Sequence, residues 1–221
     1  MMNKNGKKVL WTGGLTLLAF VVWTALLQLV DVQPIGQQGT SIGFSSLNRW
    51  FHQLTGVHMT LYTITDWLGL VPVFVCMGFG CLGLVQLVRK KSLLQVERDI
   101  IFLGVYYGIV IVGYLVFEMF PINYRPILID GRLEASYPSS TTLLVLSVMP
   151  TLVEQMHRRL HNTIGKRFVT VFTVGFSAFM VLARLLSGVH WLTDIVGGIL
   201  LSIGLFCIYR AVVLLYGEKA N

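Results

Sequence analysis

Six stretches of the chain are apolar for long enough to cross a bilayer, and the polar positions gather in the segments between them. The stretches run over residues 9–30, 68–88, 100–120, 140–156, 168–186 and 192–216. A spanning helix needs about 17–25 predominantly apolar residues, so each stretch predicts one transmembrane helix. The first follows Lys4, Lys7 and Lys8, as in a secretory signal. Its apolar part is too long for a signal core and no small-residue cleavage site follows, so it is expected to stay as an anchor. A shorter segment, residues 45–55, has Leu47, Trp50, Phe51 and Leu54 at the i, i+3, i+4, i+7 spacing of an amphipathic helix. It is expected to lie in the membrane interface as a connector, with a lid or lipid guide as the alternative.

Composition agrees with this pattern. Of 221 residues, 55% are hydrophobic and only 12% charged, with a mean hydropathy of +0.73. Soluble domains carry about a quarter charged residues, so a soluble protein is excluded. No internal repeat or linker divides the chain. The expectation is an all-α polytopic membrane protein of six transmembrane helices in one domain, residues 1–221, with a short N-terminal segment 1–8 and a tail 217–221.

Charge sets the orientation. Lys4, Lys7 and Lys8 precede helix one; Arg89, Lys90, Lys91 and Arg98 join helices two and three; Arg158, Arg159, Lys166 and Arg167 join four and five; Arg210 and Lys219 end the chain. All fall on one side, whereas Arg49, Arg125, Arg132 and Arg184 fall on the other. The positive-inside rule then predicts a cell-membrane protein with both termini cytoplasmic. The net charge of +7 is accounted for by topology and contact with anionic lipid, so no nucleic-acid partner is implied.

The outward arginines are left over from that accounting. Arg125 and Arg132 follow helix three and Arg184 ends helix five, so loop 121–138 and turn 184–190 are expected to open on one face of the membrane. Ionisable groups at a membrane boundary are costly and point to function. His190 and Asp194 are four apart, which on a helix puts them on one face, where the carboxylate can hold the imidazole in one tautomer and favour its charged state. Arg184 offers a planar fork suited to phosphate. Glu134 is expected to pair with Arg125 or Arg132, Glu154 with Arg158 four residues on, and Asp66 with neighbouring Trp67 at the interface. Cys76, Cys81 and Cys207 lie inside apolar runs and read as small core residues, with no metal spacing.

Over roughly residues 45–216 the chain resembles the type 2 phosphatidic acid phosphatase (PAP2) superfamily of membrane lipid phosphatases. That family carries a Lys seven residues before Arg-Pro, then Pro-Ser-Gly-His, then Ser-Arg followed six residues later by His and four after that by Asp. Here stand Arg125-Pro126, Pro138-Ser139-Ser140-Thr141, and Ala183-Arg184 with His190 and Asp194. The resemblance implies that His190 is the nucleophile that takes the phosphoryl group, with Asp194 orienting it. Arg125, with Pro126 beside it, and Arg184 would bind phosphate oxygens, and Ser139, Ser140 and Thr141 would complete the cradle at the start of helix four, a ready anion site. No metal or other cofactor is implied. The partner would be a membrane lipid phosphate or pyrophosphate.

Two positions depart from the family. Glu118 stands where the family has Lys, and Thr141 where it has the His that protonates the leaving alkoxide. General acid catalysis contributes about 10²- to 10⁴-fold, which threonine cannot supply. Three readings follow: a phosphatase with a histidine nucleophile, of full or reduced activity, acting on a lipid phosphate such as phosphatidic acid or, with its better leaving group, on a polyprenyl pyrophosphate such as undecaprenyl pyrophosphate; a non-catalytic lipid-phosphate binding protein or transporter; or an enzyme using Glu118 as a substitute acid.

Overall fold

The structure, a computed structural model, describes residues 4–217; the expected inner-side Lys219 lies outside them. The α-helices are α1 Lys4–Leu27, α2 Ser45–Thr55, α3 Met59–Leu68, α4 Leu70–Lys90, α5 Arg98–Met119, α6 Ser140–Arg159, α7 Thr163–Leu186 and α8 Leu192–Tyr216. By length and apolar composition five units can cross a membrane: α1, the pair α3–α4 over Met59–Lys90, α5, α7 and α8. The chain is thus an all-helical, multi-pass membrane protein.

The sixth expected span exists as α6 but is not of the same kind. Its twenty residues include Ser140, Thr141, Thr142, Ser147, Thr151 and Gln155, with Pro150 inside. It packs against α4, α5, α7 and α8, and Val145, Met149, Thr151 and Gln155 have no exposed surface. A helix enclosed by others can carry polar groups at membrane depth provided they find partners. Here tyrosines supply several. The Tyr106 hydroxyl donates to the Ser147 carbonyl (2.9 Å), Tyr107 Oη meets Thr151 Oγ1 (2.7 Å), and the Gln155 amide donates to Tyr209 Oη (2.9 Å).

The second span starts nine residues earlier than its apolar run. The chain is helical from Met59, and the run misses α3 because Thr60, Thr63, Thr65 and Asp66 dilute its hydropathy. The break after Leu68 has a local cause. Pro72 has no N–H to offer the Leu68 carbonyl, and its ring crowds that carbonyl.

Helix α1 lies antiparallel to α8 along its length. Its buried residues Gly6, Gly13, Phe20 and Leu27 recur every seven positions, forming one stripe. A Cβ at Gly13 would sit 3.0 Å from the Ile208 backbone nitrogen, and Gly204 takes Leu17 at a similarly close approach. Small residues of this kind let membrane helices approach closely, where van der Waals contact replaces the missing hydrophobic drive.

At the end bearing the basic turns, Arg159 binds Glu97 (2.6 Å) and Asp99 (3.3 Å), tying α6 to the start of α5. Glu154 pairs with Arg158 as the four-residue spacing predicts (3.1 Å) and also reaches Arg210 (3.5 Å). The cysteines depart from expectation: Cys81 is exposed and Cys76 and Cys207 are half-buried, on helix faces turned partly outward.

Candidate functional site

The site lies at the opposite end of the bundle, where α5 ends, α6 and α8 begin, α7 ends and α3 passes. Loop 121–138 is built as an irregular hairpin. Asp130 and Gly131 both have positive φ (48° and 73°), and Ile129 and Arg132 exchange two backbone hydrogen bonds across them. That is the Asp-Gly hairpin turn, whose twist suits the flanking strands. Farther down, Arg125 N–H donates to the Glu134 carbonyl and Ser136 N–H to the Asn123 carbonyl. The hairpin therefore sets Asn123 and Arg125 beside Glu134 and Ser136.

His190 belongs to the segment between α7 and α8. Helix α8 begins at Leu192, so His190 and Asp194 do not share a helical face as their spacing predicted. Asp194 instead sits in the first turn of α8, where its Oδ2 accepts from the Trp191 backbone N–H (2.9 Å), a capping contact that fits the positive end of the helix. Asn123 donates to Asp194 Oδ1 (3.0 Å) and Ser136 Oγ to Oδ2 (2.5 Å). The imidazole Nδ1 is 3.9 Å from that carboxylate, beyond hydrogen-bond reach, and lies 3.1 Å from both the Ser136 carbonyl and the Ser136 hydroxyl. The carbonyl can only accept and the hydroxyl proton is already given to Asp194, so the network assigns the proton to Nδ1 and the lone pair to Nε2. The tautomer is set by Ser136, with Asp194 one bond behind it.

His190 Nε2 is buried and has no hydrogen-bond partner. Burial, followed by the nearby Arg125 and Arg184 charges, holds the imidazole well below its ordinary value of 6.5, so it is neutral at physiological pH. Gly188 makes the tight approach behind it: φ is +70° and a Cβ would strike the Gly56 carbonyl.

Both arginines lie in the same buried region. Arg184 is 2% exposed and Arg125 8%; Nη1 of each is buried without a partner. Arg125 Nε lies 3.1 Å from Glu134, which settles Glu134 on Arg125 in preference to Arg132. Arg184 Nε donates to Thr141 Oγ1 (3.0 Å), and its Nη2 reaches Asp66 (3.4 Å). The guanidinium of Arg184 lies 4.8 Å from the centroid of the Tyr62 ring and that of Arg125 5.8 Å. One aromatic ring thus lies within cation–π range of both guanidiniums, a favourable contact for each. Asp66, expected to pair with Trp67 at the interface, instead reaches Arg184 from a position that leaves its own side chain largely exposed.

The remaining residues singled out from the sequence divide. Ser139 is fully buried and caps α6, its Oγ accepting from Thr142 N–H (3.5 Å) while its own N–H donates to the Asp194 carbonyl (3.1 Å). Ser140 lines two adjoining cavities. One, of about 260 Å³, is walled by Tyr114, Glu118, Arg125, Glu134, Ser136 and Ser140 among others. The second, of about 340 Å³, is bounded by Asp66, Leu70, Val110, Ile111, Thr141 and Leu144, and shares Tyr114, Ser140 and Leu143 with the first. A polar chamber therefore adjoins a mainly apolar cleft between α4, α5 and α6. Pro126 lines neither; its carbonyl accepts from Gln37 (2.8 Å). Helix α2 buttresses the site from outside: Asn48 bonds the Thr193 hydroxyl (3.0 Å), and His52 Nε2 meets the Gly188 carbonyl (3.1 Å).

Tyr62, Asn123 and Ser136 complete the constellation without having been expected. For Asn123 and Ser136 the Asp130-Gly131 turn is the available signal, because a hairpin turn between them brings both arms together. Tyr62 has none; it reaches the arginines only because α3 continues the second span.

The PAP2 superfamily model matches residues 114–216, the stretch that carries every residue of the site except Tyr62 and Asp66. A crystal structure of a transmembrane PAP2-type phosphatidylglycerolphosphate phosphatase from Bacillus subtilis matches with a TM-score of 0.60 and 16% sequence identity, over 90% of this chain and 93% of that one. At that identity the likeness speaks to the fold. No curated protein matches. Residues 114–216 thus match the PAP2 superfamily model, and nine-tenths of the chain shares the fold of a membrane phosphatase of PAP2 type.

Proposed function

We propose that the protein is a lipid phosphatase in which His190 is the nucleophile and Arg125 and Arg184 hold the phosphate. The observation that carries this reading is a set of unpartnered buried atoms, His190 Nε2 and Nη1 of Arg125 and of Arg184, on residues close enough for both arginine charges to act on the imidazole. Buried polar groups without partners are rare and costly. Two donors and one lone pair are what an anionic phosphoryl group needs for binding and attack.

In this mechanism the arginine forks neutralise the phosphate oxygens, and Nε2 attacks phosphorus as the bond to the leaving group breaks. The resulting phosphohistidine is hydrolysed by water. Positive charge developing on the ring is stabilised through the Ser136 hydroxyl and the Asp194 carboxylate behind it. Phosphoryl transfer rests mainly on such positioning and charge stabilisation. With Thr141 in place of an acid, a pyrophosphate, which expels phosphate, is the better substrate, and the apolar cleft suits a lipid tail. The positive-inside distribution puts this site on the outer face with both termini in the cytoplasm.

Purified protein is expected to release phosphate from a polyprenyl pyrophosphate faster than from phosphatidic acid and to yield an acid-labile phosphohistidine at residue 190. Release from neither substrate would overturn catalysis. A second reading, a lipid-phosphate binding protein or transporter, is favoured by one observation: the Thr141 hydroxyl is engaged by Arg184 and neither atom can act as an acid. Under that reading lipid binds but no phosphohistidine forms. Under both readings Arg184→Ala is expected to weaken lipid-phosphate binding roughly 10- to 100-fold, the worth of one or two charge-assisted hydrogen bonds, with Arg184→Lys recovering part of the loss. Unchanged affinity in titration calorimetry would remove Arg184 from the site.

The His190 environment also fixes the direction of the pH dependence. Because its pKa lies well below 6.5, the neutral nucleophile is present throughout the neutral range. The value of kcat/KM, which reports the free enzyme, is expected to stay level from pH 8 to about 6.5 and to fall only at lower pH as Nε2 is protonated. Stability moves the same way: the unfolded chain takes up this proton near 6.5 and the folded one does not, so acid favours unfolding. An acid limb centred at or above 6.5 would contradict the assigned environment.

A further inference from the structure

We infer that a cleft between α6, α7 and α8, at the basic end of the bundle, binds one anionic phospholipid of the adjoining leaflet. The inference is independent of the phosphate site, which lies at the opposite end. The cleft exists because α7 and α8 hardly touch and each packs on α6 instead. It leaves a cavity of about 480 Å³ walled by Leu146, Val153, Val174 and Phe206, with Glu154, His157 and Arg210 at the end nearest the basic turns. Val174 lines it and is 62% exposed, so the cavity opens sideways to the bilayer.

Two further lining residues, Thr173 and Ser177, point to a ligand. They are 3% and 8% exposed, and neither hydroxyl has a hydrogen-bond partner. A hydroxyl inside a helix ordinarily turns back to a carbonyl of its own helix, as those of Thr65 and Ser202 do. Thr173 and Ser177, one turn apart on α7, are left as donors to something the chain does not supply. A further transmembrane helix offers them little, since its carbonyls are already bonded internally. A glycerolipid offers ester carbonyls, which accept hydrogen bonds and have no donor of their own.

Depth and charge fit that ligand. His157 meets the Thr170 hydroxyl (2.9 Å) and the Lys166 carbonyl (3.3 Å), so α6 and α7 are level there. At about 1.5 Å per residue, Thr173 lies about 4.5 Å deeper and Ser177 about 10 Å deeper. Glu154 shares the level of Thr173 and holds both Arg158 (3.1 Å) and Arg210 (3.5 Å). Two arginines on one carboxylate leave a net positive charge, to which Lys166 and Arg167 in the first turns of α7 add. A phosphodiester held at the level of His157 and Arg210 sets its ester carbonyls beside the α7 hydroxyls and its chains along Val174, Leu146 and Phe206. Basic pockets between membrane helices on the cytoplasmic side suit anionic headgroups, and the positive-inside distribution makes this end cytoplasmic. The lipid would bridge α7 and α8, whose far ends carry Arg184 and Asp194.

The test is native mass spectrometry and thermal unfolding of the full-length protein in detergent, titrated with phosphatidylglycerol or phosphatidylcholine of matched chains. The unchanged protein is compared with the double variant Thr173→Val, Ser177→Ala, with Arg210→Gln and with Arg184→Ala. Phosphatidylglycerol is expected to be retained and to raise the unfolding midpoint by binding the folded state, and to do so equally in Arg184→Ala. Loss of both hydroxyls is expected to weaken it about tenfold, the scale of two neutral hydrogen bonds. Arg210→Gln is expected to cost phosphatidylglycerol about threefold to fivefold and phosphatidylcholine much less. Equal affinity for the two headgroups in the unchanged protein, or affinity that survives loss of both hydroxyls, overturns the inference. Binding that disappears in Arg184→Ala places the lipid at the phosphate site and overturns it as well. Glycerol phosphate, which has the charge without the chains, is not expected to compete; competition would replace the lipid by a soluble phosphate.

Discussion

Replacing His190 with glutamine is expected to lower phosphate release by about 10³-fold or more, with little loss of lipid binding. Glutamine keeps a side-chain N–H that can donate to the Ser136 carbonyl, the contact that now orients the ring, and it fills a comparable buried volume. What it lacks is a lone pair on nitrogen that can attack phosphorus. The two arginine forks and their support from Thr141, Asp66 and the Tyr62 ring are untouched, so affinity measured by calorimetry should change by less than threefold, well under the 1.4 kcal/mol that tenfold represents. Rate assays on a polyprenyl pyrophosphate, with phosphorus NMR to follow the phosphohistidine signal, separate the two effects. Turnover that persists in His190→Gln would place the nucleophile elsewhere, and a parallel collapse of binding would make His190 a binding group.

The spans could be read from the chain because bilayer thickness imposes a length on every apolar helix, and α8 begins and ends where its run does. The α3 extension could not, since Thr65 and Asp66 interrupt the apolar pattern: the Thr65 hydroxyl is satisfied by carbonyls of its own helix, and Asp66 answers to Arg184, 118 positions on. Spacing also misled at His190 and Asp194. Four residues apart is a helical interval, yet the helix starts between them, and the same interval serves a residue ahead of the first turn and a carboxylate capping it. Ser136 stands between the two because a hairpin arm brings it there, and no periodicity along the chain encodes a contact made across a loop. Charge and motif spacing single out Arg125, Arg184, His190 and Asp194; nothing comparable marks the residues that orient them by single hydrogen bonds.

Thr141→His is expected to raise turnover of phosphatidic acid by about 10²-fold or more, toward the 10²- to 10⁴-fold range of general acid catalysis, while changing polyprenyl pyrophosphate turnover by less than a few-fold. The asymmetry follows from the leaving groups: a diacylglycerol alkoxide must be protonated as it departs, whereas phosphate leaves as a stable anion. Two structural terms decide whether the gain is realised. Thr141 Oγ1 accepts from Arg184 Nε, and losing that acceptor would leave a buried guanidinium N–H unmet at a cost of about 1–3 kcal/mol. A neutral imidazole carries an sp² nitrogen that can accept in its place; once the Arg184 fork turns to the bound phosphate, that nitrogen is released to take a proton from water and pass it to the leaving oxygen. Room for the ring is available because Thr141 borders the cleft of about 340 Å³. Initial rates on the two substrates, compared between the unchanged protein and Thr141→His, give the ratio directly. A ratio that stays fixed would show that protonation of the leaving group is not what limits this site, and would shift the weight toward a protein that binds lipid phosphates without cleaving them.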